Sequence, residues 1–252
     1  MKRSLPIVLV LLLLIIMASG CTFKVRTGGG ASQSFSLSVI SHPSSGVVKG
    51  WDAVLLKPEV YAILHNPDRE VAYGRPQVLV FLKVSSDVEN LSAPYLGNST
   101  YLVPPWAFHR FGDRMQATLT LTLKNGTPGD VEVSYRGLPG KTVDPIVNLE
   151  VVKLNESAYK VLLLSFTQPS FSVLGESFRV LPRPINGTVS FHRLPSVKLL
   201  RPGVYIVPAE NTATTGNAVL SVSVNLLELY VSRDGRSAFV GTVGFPYDKL
   251  GG

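Results

Sequence analysis

Hydrophobic and polar side chains alternate along much of the chain. The clearest example is the segment from Met115 to Leu123, in which leucines occupy one face and threonines the other. Alternation with a period of two residues is typical of a β-strand with one buried face. Other runs rich in Val, Leu and Phe, bounded by Gly, Pro, Asn and Asp, also predict strands. These runs lie at residues 77–84, 131–135, 146–152, 159–166, 187–191, 203–207, 219–230 and 237–243.

Turn signals separate these runs, and no long amphipathic helix interrupts them. The Asp234-Gly235 pair stands between two apolar runs and predicts a two-residue hairpin. Many short strands punctuated in this way are typical of β-sandwiches. We therefore expect an all-β, immunoglobulin-like β-sandwich architecture, built as one large domain or as two tandem domains. A Gly/Pro-rich stretch from Gly137 to Pro145 would separate a first domain at 37–136 from a second at 146–250.

The N-terminal segment, residues 1–20, has the features of an export signal. Cationic residues precede an apolar stretch from Leu5 to Ala18, which is shorter than the ~20 residues of a membrane span. The sequence Ala18-Ser19-Gly20-Cys21 then resembles the lipobox of prokaryotic lipoproteins. The resemblance implies that Cys21 carries a diacylglyceryl-type lipid and becomes the N-terminus after cleavage. An uncleaved N-terminal anchor and simple secretion are the alternatives.

Two further features indicate an exported surface protein. Residues 21–36 include a Gly/Ser-rich stretch and predict a flexible tether behind the lipid. The N-glycosylation sequence Asn-X-Ser/Thr occurs more often than this composition gives by chance, although Asn, Ser and Thr also share turns for other reasons. The five acceptor asparagines are Asn90, Asn98, Asn125, Asn155 and Asn186. Together, the lipobox and the acceptor sequences indicate an archaeal surface lipoprotein.

A second resemblance covers residues 55–136. An alternating run, an Asn-Pro turn, a second run, a proline pair and a third run follow one another at 60–64, 65–68, 78–84, 104–105 and 118–123. This order resembles the water-stress domains of the late-embryogenesis-abundant type, except that Asp68 stands where that family has Asn. The resemblance implies an immunoglobulin-like sandwich with a binding or structural role rather than catalysis.

Composition and charge narrow the possible functions. Charged residues make up only 16% of the chain, against about 25% in ordinary domains, and the formal net charge is +7. These values argue against a disordered polyelectrolyte, a coiled coil and a nucleic-acid binder. Cys21 is the only cysteine, so no disulfide can form within the chain.

Catalytic and metal-binding motifs do not emerge from the sequence. The four histidines are far apart, and none has metal-ligand spacing to another histidine, to the cysteine or to a carboxylate pair. A Ser-x-x-Lys match at 157–160 lies in a strand-like run, and the segment at 137–142 lacks the helix of a phosphate-binding loop. Carboxylate pairs at 68/70, 87/89 and 130/132 are candidate calcium ligands, although solvated strand ends are the simpler explanation. We therefore predict no enzyme activity, no metal and no cofactor.

Aromatic and basic residues are concentrated between residues 95 and 111. Aromatic rings beside arginine on a loop suit a protein or glycan partner, because rings provide a large contact area at low conformational entropy. The candidate partner-binding residues are Tyr101, Trp106, Phe108, Arg110 and Phe111. The alternative is that Trp106 and Phe108 close the open end of the sandwich.

These observations together predict a non-enzymatic, lipid-anchored protein on the outer face of the cell membrane. Its β-sandwich would act as a binding module for another surface protein or a glycan, and not for nucleic acid. One alternative is a structural subunit of an envelope layer or extracellular filament, with residues 34–41 as a donor strand. Another is an accessory subunit of a membrane enzyme or transporter. The sequence leaves the oligomeric state open.

Overall fold

The computed structural model describes residues 25–26, 35–41, 48–57, 59–64, 70–74, 76–185, 198–201, 203–208, 212–215, 218–221 and 223–246. Within these ranges the regular structure is β throughout, apart from one 3-10 turn at Pro105–Ala107. The all-β prediction is therefore confirmed for the part of the chain that the structure describes. No helix among these residues has the length and apolar character needed to cross a membrane. Cys21, Asn186 and the predicted strand at 187–191 lie outside the described residues.

The strands, in chain order, are β1 (Val25–Arg26), β2 (Ser36–Ser41), β3 (Val48–Leu56), β4 (Glu59–Leu64), β5 (Glu70–Gly74), β6 (Gln77–Val84), β7 (Val88–Leu91), β8 (Tyr95–Gly97), β9 (Thr100–Val103), β10 (His109–Phe111), β11 (Arg114–Leu123), β12 (Pro128–Arg136), β13 (Thr142–Val143), β14 (Ile146–Asn155), β15 (Ala158–Phe166), β16 (Ser170–Val173), β17 (Glu176–Pro184), β18 (Lys198–Arg201), β19 (Val204–Pro208), β20 (Thr212–Thr215), β21 (Ala218–Ser221), β22 (Ser223–Arg233) and β23 (Arg236–Pro246).

The chain divides into two compact units, each made of two chain segments. The first unit comprises Met1–Val54 and Val78–Lys141, and the second comprises Leu55–Gln77 and Thr142–Gly252. The segment 55–136, which resembles a water-stress domain, is thus shared between the two units. The predicted domain boundary between 136 and 146 stays a prediction.

The first unit is built on strands whose sequence pattern matches their burial. One of its sheets has the order β1-β2-β12-β11-β10, with β7 also paired to β11, and the other has the order β3-β6-β9-β8. The short strand β13 pairs in parallel with Leu55 and Leu56, and like them it belongs to the second unit. Along β11, Ala117, Leu119 and Leu121 are buried and the intervening threonines are exposed, as the alternation predicts. In β6, by contrast, every residue from Val78 to Leu82 is buried. Both faces of β6 are therefore covered, which accounts for its continuous apolar run.

The second unit contains a six-stranded sheet and a four-stranded sheet. The larger sheet has the order β18-β19-β15-β14-β4-β5, in which β14 and β4 run parallel, and the smaller has the order β16-β17-β22-β23. Tyr205 of β19 is buried, and its hydroxyl donates to the carbonyl oxygen of Leu226 in β22 at 3.0 Å. The backbone N–H of Ile185 donates to the same oxygen at 3.0 Å. The hydrogen bond from Tyr205 therefore links the six-stranded sheet to the four-stranded sheet.

The hairpin between β22 and β23 confirms one turn prediction and contains a bulge. Asp234 and Gly235 have φ angles of 46° and 78°, both positive as a two-residue type I′ turn requires. Further along, the strand register shifts where Leu229 pairs with Gly241. Gly241 has a φ of 146°, and a Cβ atom there would collide with the side-chain amide of Gln77. Only glycine fits this backbone position without strain.

Two segments differ in detail from the sequence-based expectation. The predicted strand at 219–230 is divided between β21, which pairs with β20, and β22, which pairs with β17 and β23. The segment at 34–41, considered as a donor strand, contains β2, which pairs with β12 over residues 36–41. Leu37 and Val39 of β2 are buried, so this strand completes the sheet of its own unit.

Candidate functional site

A short, well-anchored loop presents aromatic and basic side chains in the first unit. We call residues 104–114 the Trp106 loop. It begins with the 3-10 turn, in which the N–H of Ala107 donates to the carbonyl of Pro104 at 3.0 Å. Phe108 is buried and lies edge-on to the ring of Tyr135, with ring centroids 4.9 Å apart. The loop then continues as β10, which pairs with β11 through a turn at Gly112 with a φ of 61°.

The five predicted binding residues separate into two groups. Trp106 and Phe111 are 53% and 65% exposed, and Arg110 between them is also exposed. Tyr101 and Phe108 belong to the core of the unit, with 7% and 5% exposure. Burial, and secondarily the neighbouring Tyr95, raises the pKa of the Tyr101 phenol. Only the first group is exposed enough to touch a partner: Trp106 lies at the surface, whereas Phe108 lies in the core.

Charged groups surround the exposed part of the Trp106 loop. The Arg114 guanidinium lies 5.4 Å from the centroid of the Phe111 ring, within the range of a cation–π interaction. Arg114 also approaches Glu132 at 3.8 Å. Arg136 forms an ion pair with Asp113 at 2.6 Å. These contacts restrict the loop tip. The Nε of Arg110, which is exposed, donates to the carbonyl oxygen of Gly112 at 3.3 Å.

A second candidate surface lies on the smaller sheet of the second unit. Along β17, Phe178 and Val180 are buried, whereas Arg179 between them is exposed on the outer face. Strand pairing places Arg179 directly between Ser170 of β16 and Ser232 of β22, and Ser232 opposite Ser237 of β23. Directly opposed residues of antiparallel strands point to the same face, with Cβ atoms roughly 4.5–5.5 Å apart. A row of three serines and one arginine therefore crosses the sheet.

This row borders a cavity and an apolar row. The cavity has a volume of about 560 Å³, and its lining includes Ser170, Ser177, Arg179 and Ser232. The next row across the strands consists of Leu181, Tyr230 and Phe239. All three are partly exposed on the outer face. We call the two rows together, with Ser177, the serine–arginine face.

The charges around the serine–arginine face are not equivalent. Arg233 forms a 2.6 Å ion pair with Glu176, both only 14% exposed, and its Nε lies 3.3 Å from Asp234. The same guanidinium lies 5.9 Å from the centroid of the Phe178 ring. Arg179, in contrast, has no ion pair with any residue that the structure describes. The charge of Arg233 is therefore neutralised at the end of the sheet, whereas that of Arg179 is available to a ligand.

Tyr230 is held in place beside this charge. Its hydroxyl donates to Oε2 of Glu228 at 2.7 Å, and the Arg183 guanidinium lies 4.3 Å from the centroid of its ring. The hydrogen bond to Glu228 keeps the proton on the phenol and, with burial, raises the pKa of Tyr230. The ring also packs edge-on against Phe239, with centroids 5.6 Å apart.

The acceptor asparagines in described residues fall into two classes. We call Asn125 and Asn155 the turn sequons, because both are exposed in hairpin turns. The Oδ1 atom of Asn125 accepts the N–H of Thr127 at 3.0 Å. That of Asn155 accepts both the N–H and the hydroxyl of Ser157, at 2.9 and 2.8 Å. In each case the asparagine and its Ser/Thr partner already approach each other.

We call Asn90 and Asn98 the sheet sequons. Both asparagines are exposed, but their Ser/Thr partners are engaged in the sheets. The hydroxyl of Ser92 accepts the N–H of Thr120 at 2.9 Å. Thr100 is fully buried, and its hydroxyl donates to the backbone carbonyl of Asn98 at 3.3 Å. In both sheet sequons the hydroxyl is therefore already engaged by a backbone group.

The motifs considered for catalysis or metal binding are placed as follows. Ser157 of the Ser-x-x-Lys match lies in the turn between β14 and β15, where its hydroxyl bonds to Asn155. His109 is exposed in β10, and the other three histidines lie outside the described residues. Among the described residues, no group of three or more His, Cys, Asp or Glu side chains is arranged to hold a metal ion.

The serine–arginine face was missed in the sequence because it has no local signature. Its members come from β16, β17, β22 and β23, and only the strand register brings them into rows. The sequence indicates only that every second residue, at Ser177, Arg179, Leu181 and Arg183, would share one face of a strand. Comparison with protein-family models, curated proteins and solved structures gives no match for this chain.

Proposed function

We propose that this protein is a non-enzymatic, lipid-anchored surface protein that presents a binding surface on the outer face of the cell membrane. The exposed group of the Trp106 loop carries this proposal: Trp106 and Phe111 are both more than half exposed, and Arg110, which stands between them in the sequence, is exposed as well. Tryptophan, tyrosine and arginine are the residues that most often dominate binding energy at protein interfaces. We propose another surface protein or a glycan as the partner.

The conformation of the loop favours binding. Phe108 anchors it in the core, and β10 pairs with β11 through a two-residue turn. Because the loop is already ordered, little conformational entropy is lost when a partner contacts it. The exposed rings then contribute apolar area, and Arg110 contributes directional hydrogen bonds.

Attachment through Cys21 completes the proposal. Each lipid methylene buried in the bilayer contributes about 0.8 kcal/mol, so a two-chain lipid holds a folded protein firmly at the membrane. The Gly/Ser-rich stretch behind Cys21 would let the folded units stand away from the lipid surface. This arrangement, with glycans on the acceptor asparagines, suits an archaeal cell envelope.

We also propose that the units are immunoglobulin-like sandwiches. Antiparallel pairing predominates in both units. In the second unit, the hydrogen bond from Tyr205 to Leu226 joins the six-stranded sheet to the four-stranded sheet. Such scaffolds commonly carry their binding residues on loops.

The test compares partner capture by matched surface variants of the native protein. The Trp106→Ala/Phe111→Ala double variant removes the two exposed rings, and the Leu138→Ala/Leu164→Ala variant removes two leucines that are each 54% exposed. Each protein is cross-linked on cells, extracted in mild detergent and identified by size and mass. We expect the cross-linked partner to be lost only in the first variant. Equal capture by both variants would rule out the Trp106 loop as the binding surface.

The same extraction also tests the other parts of the proposal. We expect the intact mass to include a lipid on Cys21, and Cys21→Ser to release the protein from the membrane. An assembly made only of copies of this chain would replace the proposal with a structural subunit. A fixed stoichiometry with a membrane enzyme or transporter would replace it with an accessory subunit.

A further inference from the structure

We propose that the serine–arginine face of the second unit is a binding site for an acidic saccharide, with Arg179 holding its carboxylate. This inference goes beyond the Trp106 loop, since it uses residues of the other unit. It requires only that β16, β17, β22 and β23 form the sheet described above. The ligand class follows from three properties of the face: its charge, its hydroxyl groups and its apolar row.

The charge of the serine–arginine face favours a ligand that carries a single acidic group. Arg233 is already neutralised by Glu176 at 2.6 Å and by Asp234 at 3.3 Å. Arg179 is exposed in the row beside the cavity and forms no ion pair among the described residues. A planar guanidinium matches a planar carboxylate through two parallel hydrogen bonds. Asp234 also lines the cavity, but its carboxylate lies against Arg233. Arg179 therefore offers one charge-assisted site for one carboxylate.

The serine hydroxyls of the same face favour a ligand that carries several hydroxyl groups. Ser170 and Ser232 lie directly opposite Arg179 on its two neighbouring strands, and Ser177 also lines the cavity. A serine hydroxyl both donates and accepts hydrogen bonds, as do the hydroxyls of a sugar. The Ser232 hydroxyl already donates to the carbonyl oxygen of Arg236 at 2.9 Å, so it would serve a ligand as an acceptor. Three serines around one arginine therefore suit a ring that carries one carboxylate and several hydroxyls. A phosphate-rich ligand such as a nucleic acid would need several unpaired cations instead.

The apolar row provides the remaining contact. Leu181 and Tyr230 lie next to the serine–arginine row and are partly exposed. Tyr230 is fixed by its 2.7 Å hydrogen bond to Glu228 and by Arg183 above its ring. An ordered aromatic and aliphatic surface can contact the carbon–hydrogen face of a pyranose ring. The cavity volume of about 560 Å³ falls within the range of about 300–1,000 Å³ for small-molecule sites.

The test is a titration of the full mature chain in mild detergent with defined oligosaccharides. The ligand is oligogalacturonate, and its fully methyl-esterified form has the same ring without the charge. Oligoglutamate supplies carboxylates without sugar. Arg179→Gln removes the guanidinium from the face, Arg179→Lys keeps the charge but not the planar fork, and Arg201→Gln removes an exposed arginine from another sheet of the same unit. Melting temperatures confirm that each variant is folded.

We expect oligogalacturonate to bind the wild-type chain and Arg201→Gln alike. Arg179→Gln should weaken binding by about tenfold or more, with Arg179→Lys in between, because a charge-assisted bidentate contact is lost. The methyl ester should bind at least about tenfold more weakly than the acid. A single uronate carried on a peptide, titrated in parallel, separates a protein-linked glycan from a free polysaccharide as the source of the sugar.

Three results would overturn the proposal: no binding of oligogalacturonate, equal binding by Arg179→Gln, or equal binding of oligoglutamate. The last would identify an acidic peptide as the partner. The Trp106→Ala/Phe111→Ala variant serves as an independent control. It should bind oligogalacturonate normally, so failure of the serine–arginine face and failure of the Trp106 loop can be distinguished.

Discussion

Tyr205 is the most informative position for testing the packing of the second unit. It is 2% exposed, and its hydroxyl donates to the carbonyl of Leu226, which also accepts the N–H of Ile185. Burial raises the pKa of Tyr205 from 10.0 to about 12, against a smaller opposing effect of the Ile185 amide. Because the folded state holds this proton more tightly than the unfolded state, Tyr205 makes the stability depend on pH. Its contribution is complete below pH 10 and is lost as the pH rises towards 12.

The size of the effect follows from the shift. Tyr205 has one pKa in the unfolded state and a higher pKa in the folded state. For each unit by which the pH rises within that range, the free energy of unfolding falls by about 1.4 kcal/mol. Between about pH 9 and about pH 11, the wild-type chain should therefore lose about 1.4 kcal/mol through Tyr205 alone. Tyr205→Phe removes this dependence and leaves Leu226 bonded to Ile185. The substitution itself should cost about 0.5–1.5 kcal/mol at neutral pH, since one hydrogen bond is lost.

The assay is urea unfolding of both proteins, followed by circular dichroism at the two pH values. Burial also raises the pKa of Tyr101 and of Tyr135, but these residues are present in both proteins and cancel in the difference. We expect the stability advantage of the wild-type chain over Tyr205→Phe to shrink by about 1.4 kcal/mol between the two pH values. A constant difference would show that the phenol is not buried between the sheets, and the account of this contact would be wrong.

Three further predictions concern strain, charge and modification. Gly241→Ala should destabilise the chain by about 1–3 kcal/mol in thermal unfolding, and Gln77→Ala should partly rescue it because the collision, but not the backbone strain, is removed. Glu176→Gln should cost about 1.5–3 kcal/mol, because it leaves the largely buried Arg233 without its closest carboxylate, whereas Glu156→Gln at an exposed ion pair should be nearly neutral in the same assay. In glycopeptide mass mapping of the native protein, occupancy of the turn sequons should exceed that of the sheet sequons. Equal occupancy would mean that modification does not depend on the folded structure.

The predictable parts of the fold are those determined by local sequence. The prediction for β6 matches its ends, because its continuous apolar run is bounded by polar or turn residues. The type I′ turn at Asp234-Gly235 was equally visible, since few residue pairs accept two positive φ angles. Pairing between distant strands has no comparable local signal. The alternation in β4 predicts a strand, but not that it pairs in parallel with β14 of a later segment.

The same distinction applies to the candidate sites. The sequence identified the aromatic segment around Trp106 because its residues are contiguous. It did not distinguish the buried Phe108 from the exposed Phe111, since their burial depends on how β10 turns back along β11. The serine–arginine face could not be predicted, because Arg179 meets its serines only through the register of three strands.

Each unit is made of two separate chain segments, and this affects both the folding of the chain and its response to proteolysis. The polypeptide passes from the first unit to the second after Val54, returns after Gln77 and leaves again after Lys141. The six-stranded sheet cannot be completed until β14, β15, β19 and β18 of the later segment have joined β4 and β5 of the earlier one. A single proteolytic nick near Gly140 would not release either unit, because β4 and β5 would remain hydrogen-bonded to the strands on the other side of the cut. Continuity of the sheet, rather than of the backbone, would then hold the two parts of the cut chain together.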